Sequence, residues 1–154
     1  MRFFLASLAA AFGLALIPRV EGATGGVVKV LPHFLDQQGR HALSPSLYDR
    51  DAYQAILRQH PEQRSGIRFD VEWKSKGPYF GKLNLVLELR GIAQGKLPKQ
   101  LVLEKNVETS KWFRRWASFT LNGHEYSSFG EVTAWRVTLW EDDELLGEQK
   151  SFLW

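Results

Sequence analysis

From Gly66 to Lys74 the chain reads GIRFDVEWK, setting Ile67, Phe69, Val71 and Trp73 against Arg68, Asp70, Glu72 and Lys74. Successive side chains of a strand point to opposite faces, so this alternation predicts a strand with one dry row and one wet row. KLNLVLELR repeats the arrangement, with Leu83, Leu85, Leu87 and Leu89 opposed by Lys82, Asn84, Glu88 and Arg90; only Val86 departs. A shorter strand is predicted over Gln100 to Val107, and another over WASFTL, where Ala117, Phe119 and Leu121 share a face. Asn122-Gly123 then reads as a tight hairpin leading into HEYSSF, because both residue types accept the positive φ of such turns. Upstream, Val27 to Asp36 is predicted as the first strand, after a short flexible leader at Ala23 to Gly26. Pro32 within it has no amide to donate, which implies a sheet edge or a bulge.

The chain closes on TAWRVTLWEDDELLGEQKSFLW, in which two apolar runs flank the acidic Glu141, Asp142, Asp143 and Glu144. This predicts a final hairpin with Asp142 and Asp143 at the tip, Leu139 facing Leu146, and Trp135, Val137 and Leu139 on the inner row. Strict pairing would then turn Glu148 and Lys150 inward. A bulge is therefore predicted near Gly147, with Phe152 and Trp154 finishing the sheet. One helix stands apart, over about residues 46–60. Ser46 can cap it and Pro61 stops it after His60. Leu47, Tyr48, Ala52 and Ile56, with Tyr53 and Leu57, fall on one broad face at helical spacing, and that face is predicted to lie on the sheets.

Seven or so short strands separated by turns, with one helix near the N-terminus, predict an all-β fold of two antiparallel sheets packed face to face. From about Gly66 to Trp154 the strand spacing and the closing hairpin, with Trp135 and Val137 inside, resemble an immunoglobulin-like or fibronectin type III-like β-sandwich. The cysteine pair of antibody domains is missing. Sandwiches of this kind serve adhesion, carbohydrate binding, chaperoning and spacing, so function has to be argued from a site.

Composition changes the picture in three ways. At 154 residues, 44% hydrophobic and 24% charged, the chain is an ordinary globular one with a single core. The net charge of +3 comes from Lys and Arg interspersed with acids, whereas a nucleic-acid binder gathers its cations on one face; no nucleic-acid partner is expected. Met1 to Gly22 has an early Arg2, an apolar run from Phe3 to Ile17 and the breaker Pro18. That is a secretory signal pattern, too short for a spanning helix. The expected organisation is a signal peptide at 1–22 and one sandwich domain at 23–154, with membrane association only if the signal stays uncleaved. Cysteine is absent, which removes disulfides, zinc-thiolate sites, lipobox attachment and cysteine nucleophiles together. A periplasmic or extracellular place in a bacterial envelope is expected.

Candidate chemistry is sparse. SKWFRRW sets Lys111, Arg114 and Arg115 among Trp112, Phe113 and Trp116, a mixture that can stack on flat ligands while its cations meet anions; the alternative is a crossover whose rings cap the core. SKGPYFG places Tyr79 and Phe80 at a strand tip, and the parity of Trp140 turns it away from the inner row. Trp112, Phe113, Arg114, Arg115, Tyr79, Phe80 and Trp140 are the candidate binding residues. The four acids at the last tip lack the spacing of a calcium loop and read as a solvated turn. His33, His41, His60 and His124 show no metal-ligand spacing, so neither a metal nor a cofactor is expected. A triad of His33 or His41 with Asp36 and Ser44 can be drawn, but no nucleophile elbow accompanies it. The expectation is a non-catalytic envelope module binding a protein or surface glycan through loop aromatics. The alternative is an assembly subunit that pairs through an edge strand at Val27 to Asp36.

Overall fold

The computed structural model describes residues 24–77, 81–108 and 115–154. Along them run β1 (Thr24–Asp36), α1 (Leu47–Gln59), β2 (Arg64–Lys76), β3 (Leu83–Ile92), β4 (Pro98–Val107), β5 (Arg115–Asn122), α2 (Gly123–Phe129), β6 (Glu131–Glu141) and β7 (Glu144–Lys150). Pairing is antiparallel throughout, in a three-stranded sheet ordered β1-β2-β5 and a four-stranded sheet ordered β4-β3-β6-β7. The protein is a two-sheet β-sandwich, as the alternation predicts. Its fourth strand lies beside the third, whereas constant-type immunoglobulin domains place it beside the fifth. The predicted signal segment, Met1 to Gly22, lies outside the described residues.

The dry rows meet between the sheets. Ile67, Phe69, Val71 and Trp73 from β2 are buried with Leu83, Leu85, Leu87 and Leu89 from β3 and with Val137 and Leu139 from β6. Burying each such side chain contributes about 1.5–3 kcal/mol against the entropy of ordering it. Trp135 joins the layers edge-on to Phe69, with ring centroids 6.4 Å apart.

Five local expectations are corrected. Thr24, Gly25 and Gly26 are not a leader but the start of β1, paired with Lys76, Ser75 and Lys74. Asn122-Gly123 forms no hairpin. Because β5 and β6 belong to different sheets, the chain must cross between layers, and α2 carries it over before Gly130, at φ +85°, turns it into β6. Leu139 pairs with Gly147 instead of Leu146, because Leu146 is the extra residue of the predicted bulge. The bulge sets Glu148 opposite Thr138 and Lys150 opposite Arg136, on the outer face. After β7 the chain leaves the sheet: Ser151 donates its amide to the Trp135 carbonyl at 2.9 Å and its Oγ accepts the Trp135 amide at 3.0 Å. Phe152 is fully exposed, and Trp154 folds back beneath the Arg90 and Arg136 guanidiniums, 4.0 and 5.0 Å from its ring centroid.

The fifth correction concerns α1, which begins at Ser46 as predicted, the Ser46 side chain accepting the Asp49 amide at 3.4 Å. It docks through Gln54 and Leu57, both buried, and through the half-buried Tyr53, while Leu47, Tyr48, Ala52 and Ile56 face water. A helix that lies on a sheet needs a wide apolar face. This one instead grips a strand edge: Gln54 Oε1 accepts the Phe34 amide at 2.8 Å, and Gln54 Nε2 donates to the Phe34 carbonyl at 2.9 Å and the His41 carbonyl at 2.8 Å. The side-chain amide stands in for a neighbouring strand, and Leu57 alone supplies a fully dry contact.

Candidate functional site

The two lateral sides of the sandwich differ. On one side β1 and β7 lie backbone against backbone. A β-carbon at Gly147 would sit 2.9 Å from Gly26 Cα and 3.3 Å from the Gly25 carbonyl oxygen, so glycine is what lets the two chains approach. Gln149 Nε2 donates across the contact to the Val28 carbonyl at 2.9 Å. With Gln54 on Phe34, the β1 edge is covered at both ends. Pro32 lies two residues from Phe34, so its missing amide falls on the same outward side and leaves nothing unmet there.

On the other side β4 and β5 stand apart. Between them lies an open groove of about 490 Å³, lined by Trp73, Lys105, Val107, Glu108, Arg115, Trp116, Ala117 and Ser118. Parity explains its charge. Lys105 pairs with the buried Leu85 and so occupies the inner row of β4, between Leu103 and Val107. Arg115 pairs with the buried Trp73 and occupies the inner row of β5. Each strand thus aims a cation into the gap where alternation would place an apolar side chain. The two act as reciprocal straps: Lys105 Nζ donates to the Ser118 carbonyl on β5 at 3.3 Å, and the Arg115 guanidinium donates to the Glu108 carbonyl at the end of β4. The same guanidinium lies over the Trp73 ring, 5.6 Å from its centroid. Neither cation is ion-paired with a carboxylate among the described residues. Trp116, opposite Glu72 on the outer face of the three-stranded sheet, is 54% exposed at the groove's lip. Inward charges on edge strands also guard against pairing with foreign sheets.

Of the predicted binding residues, the structure brings Arg115 into this groove. Trp140 lies elsewhere, on the outer face of the four-stranded sheet opposite Asn84, its Nε1 donating to Thr138 Oγ1 at 2.8 Å. Tyr79, Phe80, Trp112, Phe113 and Arg114 lie outside the described residues. Trp73 and Lys105 were not expected. Lys105 has a sequence signal, since it breaks the alternation Leu101, Leu103, Lys105, Val107.

The remaining polar clusters are tied internally. Asp36 holds the turn after β1: its Oδ1 accepts the Gln38 and Arg40 amides, each at 2.8 Å, and its Oδ2 accepts the Tyr53 hydroxyl at 2.7 Å and Arg40 Nε at 2.9 Å. Burial alone would push this carboxyl up, but the hydrogen bonds from Arg40, Tyr53 and Gln38 outweigh it and bring its pKa down to about 2. On the outer face of the three-stranded sheet, Asp70 Oδ1 accepts from Ser118 Oγ at 2.6 Å and Arg68 Nε at 2.8 Å, and Asp70 Oδ2 lies 3.8 Å from His33 Nε2. The acid stands between serine and imidazole, the wrong order for activating the hydroxyl. His33 is buried beside the His41 ring, centroids 5.3 Å apart. Burial lowers its pKa, Asp70 opposes that, and His41, Arg50 and Arg68 add to it. Ser44 Oγ donates to Asp49 Oδ2 at 2.6 Å at the start of α1.

The acidic tip between β6 and β7 is less solvated than its composition suggests. Glu141 Oε1 accepts the Gly81 amide and Asp142 Oδ1 the Lys82 amide, both at 3.0 Å. The strand entering β3 passes beside this turn, and its unpaired amides need acceptors. Among the described residues no His, Asp or Glu cluster suits a metal ion, and no helix is long and apolar enough to cross a membrane. No family model, curated protein or solved structure matches the chain.

Proposed function

We propose that the protein is an exported, non-catalytic recognition module of the cell envelope, and that it takes an extended segment of another polypeptide into the groove between β4 and β5. The asymmetry of the two lateral sides carries this reading: β1 and β7 cover one another, while among the described residues no strand pairs with the outer edges of β4 and β5, which face a gap. A strand edge offers main-chain donors and acceptors at regular intervals, the ligand for which is another main chain. A glycan is the weaker fit to the described lining, because Trp73 is buried under Arg115 and, among the described residues of the groove, Trp116 is the one exposed ring for stacking. Assembly between copies through the Val27–Asp36 edge would first have to displace Gln54 and β7.

Amide exchange on the purified chain, with and without a detergent-extracted envelope fraction, tests this. Saturable protection of the Trp116, Ser118 and Thr120 amides, abolished by Trp116→Ala without loss of stability, is the expected result. Protection confined to β1, or to the outer face around Trp140, would refute it.

A further inference from the structure

We infer that the peptide this groove takes carries a carboxylate side chain, which enters the gap between the sheets and is held by Lys105 and Arg115 together. The inference rests on the strand-addition reading above and adds the chemistry of the ligand.

Three observations carry it. Both cations stand at inner-row positions of facing edge strands, so their side chains converge on one gap instead of dispersing into solvent. Among the described residues both are engaged only with neutral groups, Lys105 with the Ser118 carbonyl and Arg115 with the Glu108 carbonyl and the Trp73 ring. The Ser118 carbonyl lies on the β5 edge, and Glu108 directly follows the last residue of β4. Both straps already have an ionised donor; a carboxylate adds the attraction of a full negative charge that a carbonyl oxygen lacks, so an arriving acid draws both straps off. That exchange frees the Ser118 carbonyl, an acceptor on the β5 edge, for the main chain of the same ligand. Recognition of the side chain and exposure of the edge are thus one event. Glu108 also lines the groove, so its described lining carries one net positive unit, which suits a single carboxylate better than a run of them.

The test uses the full chain and three short capped peptides of alternating valine and threonine, with a central glutamate, glutamine or lysine. Titrations are followed by the backbone amide signals of Trp116, Ser118 and Thr120. The glutamate peptide should bind roughly tenfold tighter than the glutamine one, and the lysine peptide weakest. Lys105→Gln and Arg115→Gln each keep a donor for the strap and should fold normally. In the double variant the glutamate preference should vanish, the glutamate and glutamine peptides binding equally. Equal binding of glutamate and glutamine peptides would overturn the charge inference and leave strand addition standing. No binding by any peptide would overturn both and leave the cations as guards of the edge. A response to a polyuronate oligosaccharide with none to the peptides would overturn the peptide assignment.

Discussion

The two lateral sides of this sandwich solve one problem in opposite ways. Every strand at a sheet margin presents unpaired amides and carbonyls. Along β1 and β7 these are met by close backbone contact and by two glutamines, Gln149 on Val28 and Gln54 on Phe34. Along β4 and β5 two long cationic side chains instead reach across a gap, to the Ser118 and Glu108 carbonyls. A margin closed by backbone fit cannot open without cost, whereas one closed by long charged side chains can exchange its partners. Stability should therefore concentrate on the first side and recognition on the second.

The sharpest way to break the contrast is Gly147→Val. Its side chain would push into Gly25 and Gly26, and overpacking of this kind should cost about 3 kcal/mol in urea unfolding. An unchanged midpoint would mean that the tight margin is not what holds the sheets. Gln54→Ala strands three main-chain groups on Phe34 and His41, and a loss of about 2 kcal/mol is expected, with faster exchange of the Phe34 amide. Acid should act on the same side. The Asp36 carboxyl releases its proton at about 2 when folded and at 3.8 otherwise. As pH falls the unfolded chain binds the proton first, so roughly 2 kcal/mol is intact above about pH 4 and gone below about pH 2. Asp36→Asn should flatten that limb of the stability curve. His33 works in the same direction at milder pH: its folded pKa lies below 6.5, so its contribution is whole above about 6.5 and shrinks as pH drops below it. His33→Gln should remove that slope. The smallest effect belongs to the open side, where Lys105→Ala should alter stability by no more than about 0.5 kcal/mol. A larger loss would make Lys105 structural and narrow the contrast between the sides.

The sequence displays one side of this comparison better than the other. Strand interiors were legible because period two is local: the dry rows of β2 and β3 are Ile67 to Trp73 and Leu83 to Leu89 as alternation states. The closing hairpin and its bulge followed from the same counting. What counting cannot show is which strands share a layer, and so Asn122-Gly123, a good hairpin signal, sits where the chain changes sheets. Nor does helical periodicity reveal that α1 holds a strand edge through Gln54, since that contact spans 20 residues and uses a polar group. In the groove, Arg115 was visible within an aromatic and cationic run. Trp73 read as core and is core; its part in the groove appears only once the β5 register sets Arg115 beside it.

The bulge in β7 has a consequence for changes of chain length. Leu146 is one residue more than the ladder requires, inserted between the pairs Trp140 with Leu145 and Leu139 with Gly147. Removing it would leave every later pair opposite its present partner, with Glu148 and Lys150 still turned to water, and would forfeit mainly one apolar contact. An added residue further along β7 would invert the remainder of the strand. The final strand can therefore lose a codon at this point far more safely than it could gain one beyond it.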